Sequence, residues 1–250
     1  MTKHKVNQMV YYTSDMLDKH EIKHGFFTRI GGTSLSPFAT LNVKYVAGDA
    51  TENVKENRNS ICKSLGLSDQ KLVFASLAHS NGIKIVHPMN AGQTITSVDA
   101  LATTTANLPL MLSTADCIPI LMATINKQVI SIVHVGWRGL VAGVIENAVK
   151  TIASLSSEPM IAVLGPAISA ASYEVGPELI ASVSPKFIAQ LKNVGNSRHF
   201  DLPGACRQEL ERLGVIKIDD LAIDTYSHTA EFYSHRREGM TGRFGSIISL

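Results

Sequence analysis

The 250-residue chain is poor in the features that mark several large classes of protein. Its cysteines are few and widely spaced (Cys62, Cys117 and Cys206), which argues against a disulfide framework and leaves free thiols, a catalytic thiol or a metal ligand. No apolar run approaches the roughly 20 residues that a membrane helix requires. The formal net charge of +2 provides no basic stripe for nucleic acid. We therefore expect a small-molecule partner, with no nucleic acid and no membrane.

Signals for targeting and for division into domains are also missing. The first 20 residues lack the apolar core and cleavage site of a secretory signal, which predicts a cytoplasmic protein. No internal repeat, low-complexity tract or long linker divides the chain, so a single domain over residues 1–250 is expected. Hydrophobic residues make up 45% of the sequence, enough for a sizeable core. The oligomeric state is left open.

The apolar pattern predicts strands and helices in irregular alternation. Residues 52–66 carry apolar side chains at helical spacing up to Gly66, and a second helix is expected at about 139–155. Strands are expected at 72–80, 108–113, 118–124 and 128–135. Because there is no regular βαβ rhythm, the pattern favours an α+β sandwich with mixed or antiparallel sheets over a doubly wound parallel sheet.

The stretch "STADCIPILM" (113–122) places an acid, Asp116, and a thiol, Cys117, beside an otherwise apolar strand. Residues 118–135 have the pattern of a hairpin that turns near 126–127. A tight turn there places Pro119 opposite His134, and Cys117 then lies diagonally from His134 on the same face, with backbones about 7–8 Å apart. Pro119 cannot donate a ladder hydrogen bond, which favours an edge strand or a bulge.

His79, at the end of a predicted strand, is a third candidate ligand beside Cys117 and His134. Two imidazoles and a thiolate suit zinc, and three protein ligands leave a fourth position for water, as in catalytic zinc sites. The spacing alone equally permits a buried cysteine and ordinary polar histidines. It also permits a metal-free cysteine hydrolase in which Cys117 is the nucleophile and His134 its base.

Two further stretches are candidates for binding polar groups. In "HVGWRGL" (134–140), glycines flank Trp137 and Arg138 where a strand is expected to pass into a helix. Free N–H groups at a helix start together with the Arg138 guanidinium predict an anion site, the alternative being a tight turn with a surface arginine. The first loop is expected to form a second polar wall, or else a plain glycine-rich turn; its candidate residues are Arg29, Gly31, Gly32, Ser34 and Asn42.

Taken in order, the motifs resemble those of a known family. They are "HGFFTRIGGTSLSPFATLNV", "GD" (48–49), "ENR" (56–58), the histidine of "SLAHS", "DAL" (99–101), "TADCIPIL", "HVGWRGL", "GPAISAASYEVG" and "SHRREGMTGR". The chain resembles the laccase-domain family over nearly its whole length. That family is historically labelled multicopper polyphenol oxidase and is described as purine nucleoside phosphorylase with adenosine deaminase activity; a bacterial branch is called peptidoglycan editing factor.

The resemblance implies an α/β/β/α sandwich with zinc held by His79, Cys117 and His134 beside a nucleoside pocket. The implied substrates are phosphate and purine nucleosides, namely adenosine, inosine and methylthioadenosine. Asp116 or Glu174 is expected to carry a proton in catalysis, with Cys117 and Arg138 also at the reacting centre. The polar family positions expected around phosphate or ribose are matched by Arg29, Asn42, Arg58 and Arg138.

The chain departs from the family pattern at four places, which are expected to alter the pocket lining and to leave the metal ligands intact. Leu77 replaces glutamine, His235 replaces tyrosine, and Ser172 and Asp224 replace cysteines. Two other functions remain open. Copper polyphenol oxidation is disfavoured because the nine histidines are scattered with no His-x-His pair. Editing of peptidoglycan precursors is suggested by the branch name alone.

Overall fold

The computed structural model describes residues 1–183 and 185–250. The strands are β1 Thr2–Val6, β2 Met9–Thr13, β3 Lys23–Phe27, β4 Val73–Ser76, β5 Ile83–Ile85, β6 Thr94–Thr96, β7 Ala100–Thr103, β8 Leu110–Thr114, β9 Ile118–Thr124, β10 Ile130–Val135, β11 Met160–Leu164, β12 Leu191–Val194, β13 Ser197–Phe200, β14 Lys217–Asp220 and β15 Phe244–Ser249. The α-helices are α1 Asp15–Lys19, α2 Thr51–Ser64, α3 Trp137–Val141, α4 Val144–Leu155, α5 Pro177–Ser182, α6 Leu202–Arg212 and α7 His235–Glu238.

Most of the strands form two sheets that pack face to face. One sheet has the order β1-β2-β3-β15-β8-β4-β6 and the other the order β14-β11-β9-β10-β7-β5. Both are mixed, since β4 runs parallel to β8 and β11 parallel to β14, whereas β9 and β10 are antiparallel. A small ribbon of β12 and β13 stands apart from them.

Three apolar clusters hold the layers together. The first lies between the sheets and includes Phe26, Leu112 and Leu121. On the outer face of the first sheet, Ile61 of α2 packs with strand residues. On the outer face of the second sheet, α4 and α6 pack with Val133 and its neighbours. Burying an apolar face on both sides of each sheet gives the predicted α/β/β/α sandwich, which is confirmed.

The central hairpin has the predicted register, with His134 paired to Pro119 and Val135 to Ile118. The expectation that Pro119 lies at an edge or bulge is wrong, because β9 lies between β10 and β11. Pro119 is tolerated there because β11 ends opposite it. Its carbonyl accepts a hydrogen bond from Gly165 N at 2.9 Å, just past the last strand residue, and its missing N–H faces the same strand end.

Two sequence-predicted elements differ from the structure near the candidate ligands. The helix expected at 139–155 is two helices, α3 and α4, separated at Gly143, whose φ of +86° is a left-handed value that interrupts a helix. The strand expected to reach residue 80 ends at Ser76, so His79 lies in the turn that follows, with φ of +54°. Within the described residues, no helix has both the length and the apolar character needed to cross a bilayer.

Candidate functional site

His79, Cys117 and His134 lie together at one end of the sandwich. The candidate ligand atoms of the three side chains all lie within 4.8 Å of one another. They reach this place from the turn after β4, from the residue before β9 and from the end of β10. The rings of His79 and His134 are 4.9 Å apart between centroids and inclined by 75°. The structure thus brings together the three residues predicted as metal ligands.

Asp99, just before β7, fixes both histidines. Nδ1 of His134 lies 2.8 Å from Asp99 Oδ1, and because a carboxylate accepts, Nδ1 carries the hydrogen; in the neutral ring Nε2 is then the nitrogen with a lone pair for a metal. The same oxygen accepts the backbone N–H of His79 at 3.0 Å, and the other accepts the N–H of Ser80 at 2.7 Å. This arrangement is typical of metal-ligating histidines, which usually donate their second nitrogen to a carboxylate or carbonyl.

Asp99 belongs to the "DAL" motif (99–101), from which no role in the site was predicted. The available signal was an acid that directly precedes an apolar stretch, and the structure shows it to be fully buried. Burial of a carboxylate is costly unless it is paired, so such a residue points to a hydrogen-bonded partner. Which partner it has depends on how β7 pairs with β10, and the sequence does not contain that information in a local pattern.

Without a metal, the electrostatics of the cluster favour a Cys117 thiolate beside a protonated His134. Burial lowers the pKa of His134, but Cys117 and Asp99 outweigh it and raise that pKa to about 9, so a metal ion would have to displace this proton. Burial raises the pKa of the Cys117 thiol, but His134 and His79 outweigh it and bring that pKa down to about 6. Burial also raises the pKa of Asp99, and hydrogen bonds from His134 and Ser80 outweigh it and hold that pKa at about 2. The thiolate is the form of cysteine that binds metals.

The space around the cluster also fits a metal ion. Gly136 lies against it, and a Cβ at this position would come within 3.1 Å of Cys117 Sγ and 3.5 Å of His79 Nδ1. A side chain there would therefore press on the ligands, and glycine leaves the space open. The donor set of two imidazoles and one thiolate suits zinc and leaves one coordination position for another ligand.

A cavity of about 190 Å³ opens beside the cluster. Polar, aromatic and aliphatic groups share its wall, as is usual for small-molecule sites. His79 and Cys117 form part of that wall, so a metal at the cluster would face the cavity. The other lining residues are Ala115, Asp116, Gly136, Trp137, Arg138, Ile168, Tyr173, Leu202, His235 and Arg236.

Asp116, predicted as a catalytic carboxylate, lies in the cavity wall and is 9% exposed. Its Oδ1 accepts from the Thr225 hydroxyl at 2.7 Å, and its Oδ2 accepts from the backbone N–H of Arg236, also at 2.7 Å. Asp116, the residue next to Cys117, is therefore hydrogen-bonded to the C-terminal segment of the wall. Each oxygen keeps further lone pairs, so the carboxylate can still accept a proton.

Arg138 also lines the cavity, as its place in "GWRG" suggested. Its guanidinium lies 4.2 Å from the ring centroid of Trp137 and 2.5 Å from Glu178 Oε1. The Arg138 side chain is 55% exposed, so the ion pair with Glu178 is solvated and weak. An anion in the cavity can replace that partner at small cost.

The first-loop residues lie elsewhere. Arg29 pairs with Glu238 at 2.8 Å and lies over the ring of Tyr233, at a separate hollow beside Gly31 and Gly32. Asn42 is fully buried, and its Nδ2 donates to Asp49 at 2.7 Å. Neither residue lines the cavity beside the cluster, and both hold loop segments together.

Arg58 and Glu174 are also outside the cavity wall. Arg58 is packed between the rings of Tyr45 and Phe74, and burial lowers the pKa of its guanidinium to about 10. Glu174 is exposed and accepts from the Ser197 hydroxyl at 2.9 Å. Of the two carboxylates predicted to carry a proton, only Asp116 is placed at the cavity.

Two wall residues, Tyr173 and Arg236, were not predicted, whereas His235 was expected among the altered positions of the pocket lining. The guanidinium of Arg236 donates to the carbonyl of Glu174 at 2.6 Å and lies 5.2 Å from the Tyr173 ring centroid. The only sequence signal was the motif "SHRREGMTGR", which carries His235 and Arg236 together. Their place at the cavity follows from the return of the C-terminal segment to Asp116.

The departures from the family pattern fall in two groups. Ser172 and Asp224 are in contact, the serine hydroxyl donating to Asp224 Oδ2 at 2.7 Å, so these two changes form one hydrogen-bonded pair. Leu77 packs against the core between the sheets. His235 is the one departure in the described residues that lines the cavity.

Comparison with known proteins identifies the family. A family model described as multi-copper polyphenol oxidoreductase laccase matches residues 23–250. The chain belongs to this family. A purine nucleoside phosphorylase of Corynebacterium glutamicum is 32% identical to it over 94% of this chain and 98% of the relative. Another of that name, from Deinococcus radiodurans, is 36% identical over 92% of this chain and 89% of the relative.

Solved structures give the same fold. The hypothetical protein YfiH of Bacillus licheniformis matches with a TM-score of 0.91 at 25% identity, over 99% of this chain and 98% of that one. YlmD of Geobacillus stearothermophilus matches with a TM-score of 0.91 at 26% identity, over 98% and 97%. The family expected from the motifs is thereby confirmed.

Proposed function

We propose that the protein is a zinc-dependent purine nucleoside phosphorylase that acts on adenosine, inosine and methylthioadenosine and also deaminates adenosine. The observation that carries the proposal is the His79, Cys117 and His134 cluster, which opens onto a cavity with aromatic and cationic walls. Relatives named purine nucleoside phosphorylase support the substrate class. The proposal includes a cytoplasmic location, which the three free cysteines fit.

Zinc is the metal that the donor set favours. Two imidazoles and a thiolate leave an open position, which is the pattern of catalytic zinc. A zinc ion held there would supply a Lewis acid and hydroxide at neutral pH, because zinc lowers the pKa of coordinated water to about 7. Asp99 would orient His134 and hold the turn that carries His79.

The chain's own residues divide the remaining tasks. Phosphorolysis requires phosphate at the anomeric carbon of the ribose and stabilisation of the charge that develops there. Arg138 would bind the phosphate in exchange for its solvated pairing with Glu178. Deamination requires a carboxylate that carries a proton to and from the reacting base. Asp116 would do this, because it lies in the wall next to Cys117.

The aromatic side chains of the wall would hold the purine. Trp137 and Tyr173 both line the cavity, and flat rings bind the face of a base. Ile168 and Leu202 add apolar surface that displaces water from the reacting centre. Glu174, Arg29, Asn42 and Arg58 would then act on the framework around the cavity and not on the substrate.

A metal-free cysteine hydrolase is a second candidate, favoured by one observation. Cys117 has a pKa lowered to about 6, against the effect of burial, by His134 and His79, which would suit a nucleophile and its base. Copper oxidation fits less well. A multicopper centre needs several groups of ligands, and this cluster is the one group of three or more metal-binding side chains in residues 1–183 and 185–250.

The deciding experiment measures base and ribose 1-phosphate released from inosine and adenosine by metal-loaded protein, with and without phosphate. We expect phosphate-dependent release of both products, inosine formation from adenosine without phosphate, and close to one zinc per chain. Cys117→Ala and His134→Ala should lose most of the metal and both activities. Full activity of a verified metal-free protein would contradict the zinc mechanism and assign Cys117 as a nucleophile. Bound copper with a copper–thiolate absorption band in the visible spectrum would support oxidation.

A further inference from the structure

We propose that Glu178 sets the affinity of the cavity for phosphate by competing with phosphate for the guanidinium of Arg138. The inference rests on the proposed function and deepens it, because it names the residue that regulates the phosphate subsite. Removal of the Glu178 carboxylate should therefore make phosphate bind more tightly. The competition concerns binding alone and adds no covalent step.

Glu178 and Arg138 come from two different helices and are in direct contact. Arg138 is the second residue of α3, and Glu178 is the second residue of α5. Nη2 of Arg138 donates to Oε1 of Glu178 at 2.5 Å. Arg138 belongs to the cavity wall, whereas Glu178 is outside it. The guanidinium is thus a group that both an anion in the cavity and the Glu178 carboxylate can reach.

A second contact holds the guanidinium of Arg138 in place. Its central carbon lies 4.2 Å from the ring centroid of Trp137, which also lines the cavity. A guanidinium that lies over an aromatic ring keeps its N–H groups available to oxygen acceptors around its edge. An anion bound at this edge would share the guanidinium with the carboxylate that already occupies one of its N–H groups.

Two negative groups at one guanidinium oppose each other. Unit charges about 5 Å apart in water repel each other enough to lower an affinity about fourfold. The side chains of Arg138 and Glu178 are 55% and 72% exposed, so the carboxylate can also move away into solvent. Phosphate must then break an exposed ion pair, which lowers its affinity by up to about fivefold. Either route makes Glu178 a competitor of phosphate.

The other arginine of the cavity wall lacks such a competitor. The guanidinium of Arg236 donates to the carbonyl of Glu174 at 2.6 Å, and it forms no ion pair with any carboxylate in residues 1–183 and 185–250. A substitution of Glu178 therefore changes the pairing of Arg138 and leaves that of Arg236 as it is.

The test is the affinity of inorganic phosphate for the metal-loaded protein, measured by titration calorimetry in the native protein and in Glu178→Gln. Glutamine keeps the size of the side chain and removes its charge. We expect the dissociation constant of phosphate to fall about two- to fivefold, whereas that of adenosine should not change. A purely structural role of Glu178 predicts the opposite, because damage to the site weakens phosphate binding.

Glu146→Gln is the matched control, because it changes the net charge equally outside the cavity wall. Glu146 is also a helical acid that pairs with cations, Lys150 at 2.8 Å and Arg212 at 3.4 Å. Its variant should bind phosphate like the native protein. In an Arg138→Ala background, Glu178→Gln should give no gain in phosphate affinity. An unchanged or weakened affinity in Glu178→Gln, an equal gain in Glu146→Gln or an equal gain without Arg138 overturns the competition.

Kinetics with the same variants separate this inference from the proposed function. If the protein phosphorolyses nucleosides, the phosphate KM should fall in Glu178→Gln by the same factor as the dissociation constant. An unchanged phosphate KM would overturn the inference and leave the phosphorylase function standing. If no nucleoside is turned over, the proposed function has failed, and the calorimetric affinity for phosphate still decides the role of Glu178.

Discussion

Asp99 and His134 are joined by a fully buried hydrogen bond of 2.8 Å between Oδ1 and Nδ1. The bond connects the residue before β7 to the end of β10, and the same carboxylate also holds the turn that carries His79. One acid thus sets the orientation of one imidazole and the backbone position of another. The cluster depends on this residue although it is not itself one of the three ligands.

Replacing Asp99 with asparagine should weaken metal binding by about 10- to 100-fold, the usual cost of losing a carboxylate that orients a ligating histidine. The amide still fills the space but no longer supplies a charged acceptor to His134. Competition with a chromophoric zinc chelator measures the affinity. Glu209→Gln is the matched control, since Glu209 is also buried and ion-paired, with Lys186 and Arg212, but lies away from the cluster. Equal losses of zinc affinity in both variants would contradict the assigned role of Asp99.

Gly136→Ala should lower zinc affinity while leaving the protein folded. The added Cβ would lie 3.1 Å from Cys117 Sγ, an unusually short contact, so the thiolate must move by a few tenths of an ångström. Gly176→Ala is the control, because a Cβ there meets nothing within 4 Å. Metal content after dialysis and the thermal unfolding midpoint are the two measurements. An alanine variant with native zinc affinity would show that the cluster has more room than the geometry indicates.

Cys117 should resist alkylation in the metal-loaded protein and react after chelation, because a metal-bound thiolate has its lone pair committed. In the folded metal-free protein the reaction should be selective. Burial raises the pKa of Cys62 to about 12 and raises that of Cys206 well above its usual value, so both stay protonated at pH 8. Mass spectrometry of iodoacetamide-treated peptides gives the extent at each cysteine. Rapid alkylation of Cys117 with zinc present would count against its role as a ligand.

Arg138→Ala should raise the phosphate KM of phosphorolysis about tenfold and leave deamination unchanged, because only the first reaction uses phosphate. The magnitude is that of one charge-assisted hydrogen bond on a partly exposed site. Arg198→Ala provides the control, since Arg198 bonds Asn193 on the outlying ribbon of β12 and β13. A parallel loss of both activities would assign Arg138 to the structure of the turn.

The free energy of unfolding should fall as the pH drops below about 6.5, in part because of His24. Burial lowers the pKa of this residue, whose Nε2 accepts from Ser14 N and whose Nδ1 bonds the Ile22 carbonyl, so it is neutral in the folded state. The unfolded chain therefore binds more protons at acid pH, and stability is lost at up to about 1.4 kcal/mol per pH unit below the unfolded pKa. Urea unfolding at pH 5.5 and 7.5 measures the change.

In His24→Gln this component of the pH dependence should be reduced, whereas His20→Gln, at a partly exposed site, should behave like the native protein. The charged and titratable groups near His24 are Asp18, His4 and Asp219. Identical slopes for the native protein and the His24 variant would show that another group governs acid unfolding.

Elements with a local signal were predictable from the amino-acid sequence. Two apolar runs around a tight turn predicted the β9–β10 hairpin and its register, so the diagonal relation of Cys117 to His134 was predictable. Motif order predicted the family and the metal ligands. Helix α2 was predictable from its apolar face and from Gly66 at its end.

Which distant residues come together at the site depends on long-range contacts of the folded chain. Asp99 reaches the cluster through strand pairing, and Arg236 reaches the cavity wall through the return of the C-terminal segment to Asp116; no local pattern records such contacts. Arg29, Asn42 and Arg58 have side chains that could bind phosphate or ribose. In the fold they contact loop carbonyls, acids and aromatic rings away from the cavity. Residue type states what chemistry a side chain can do, and the fold decides what it touches.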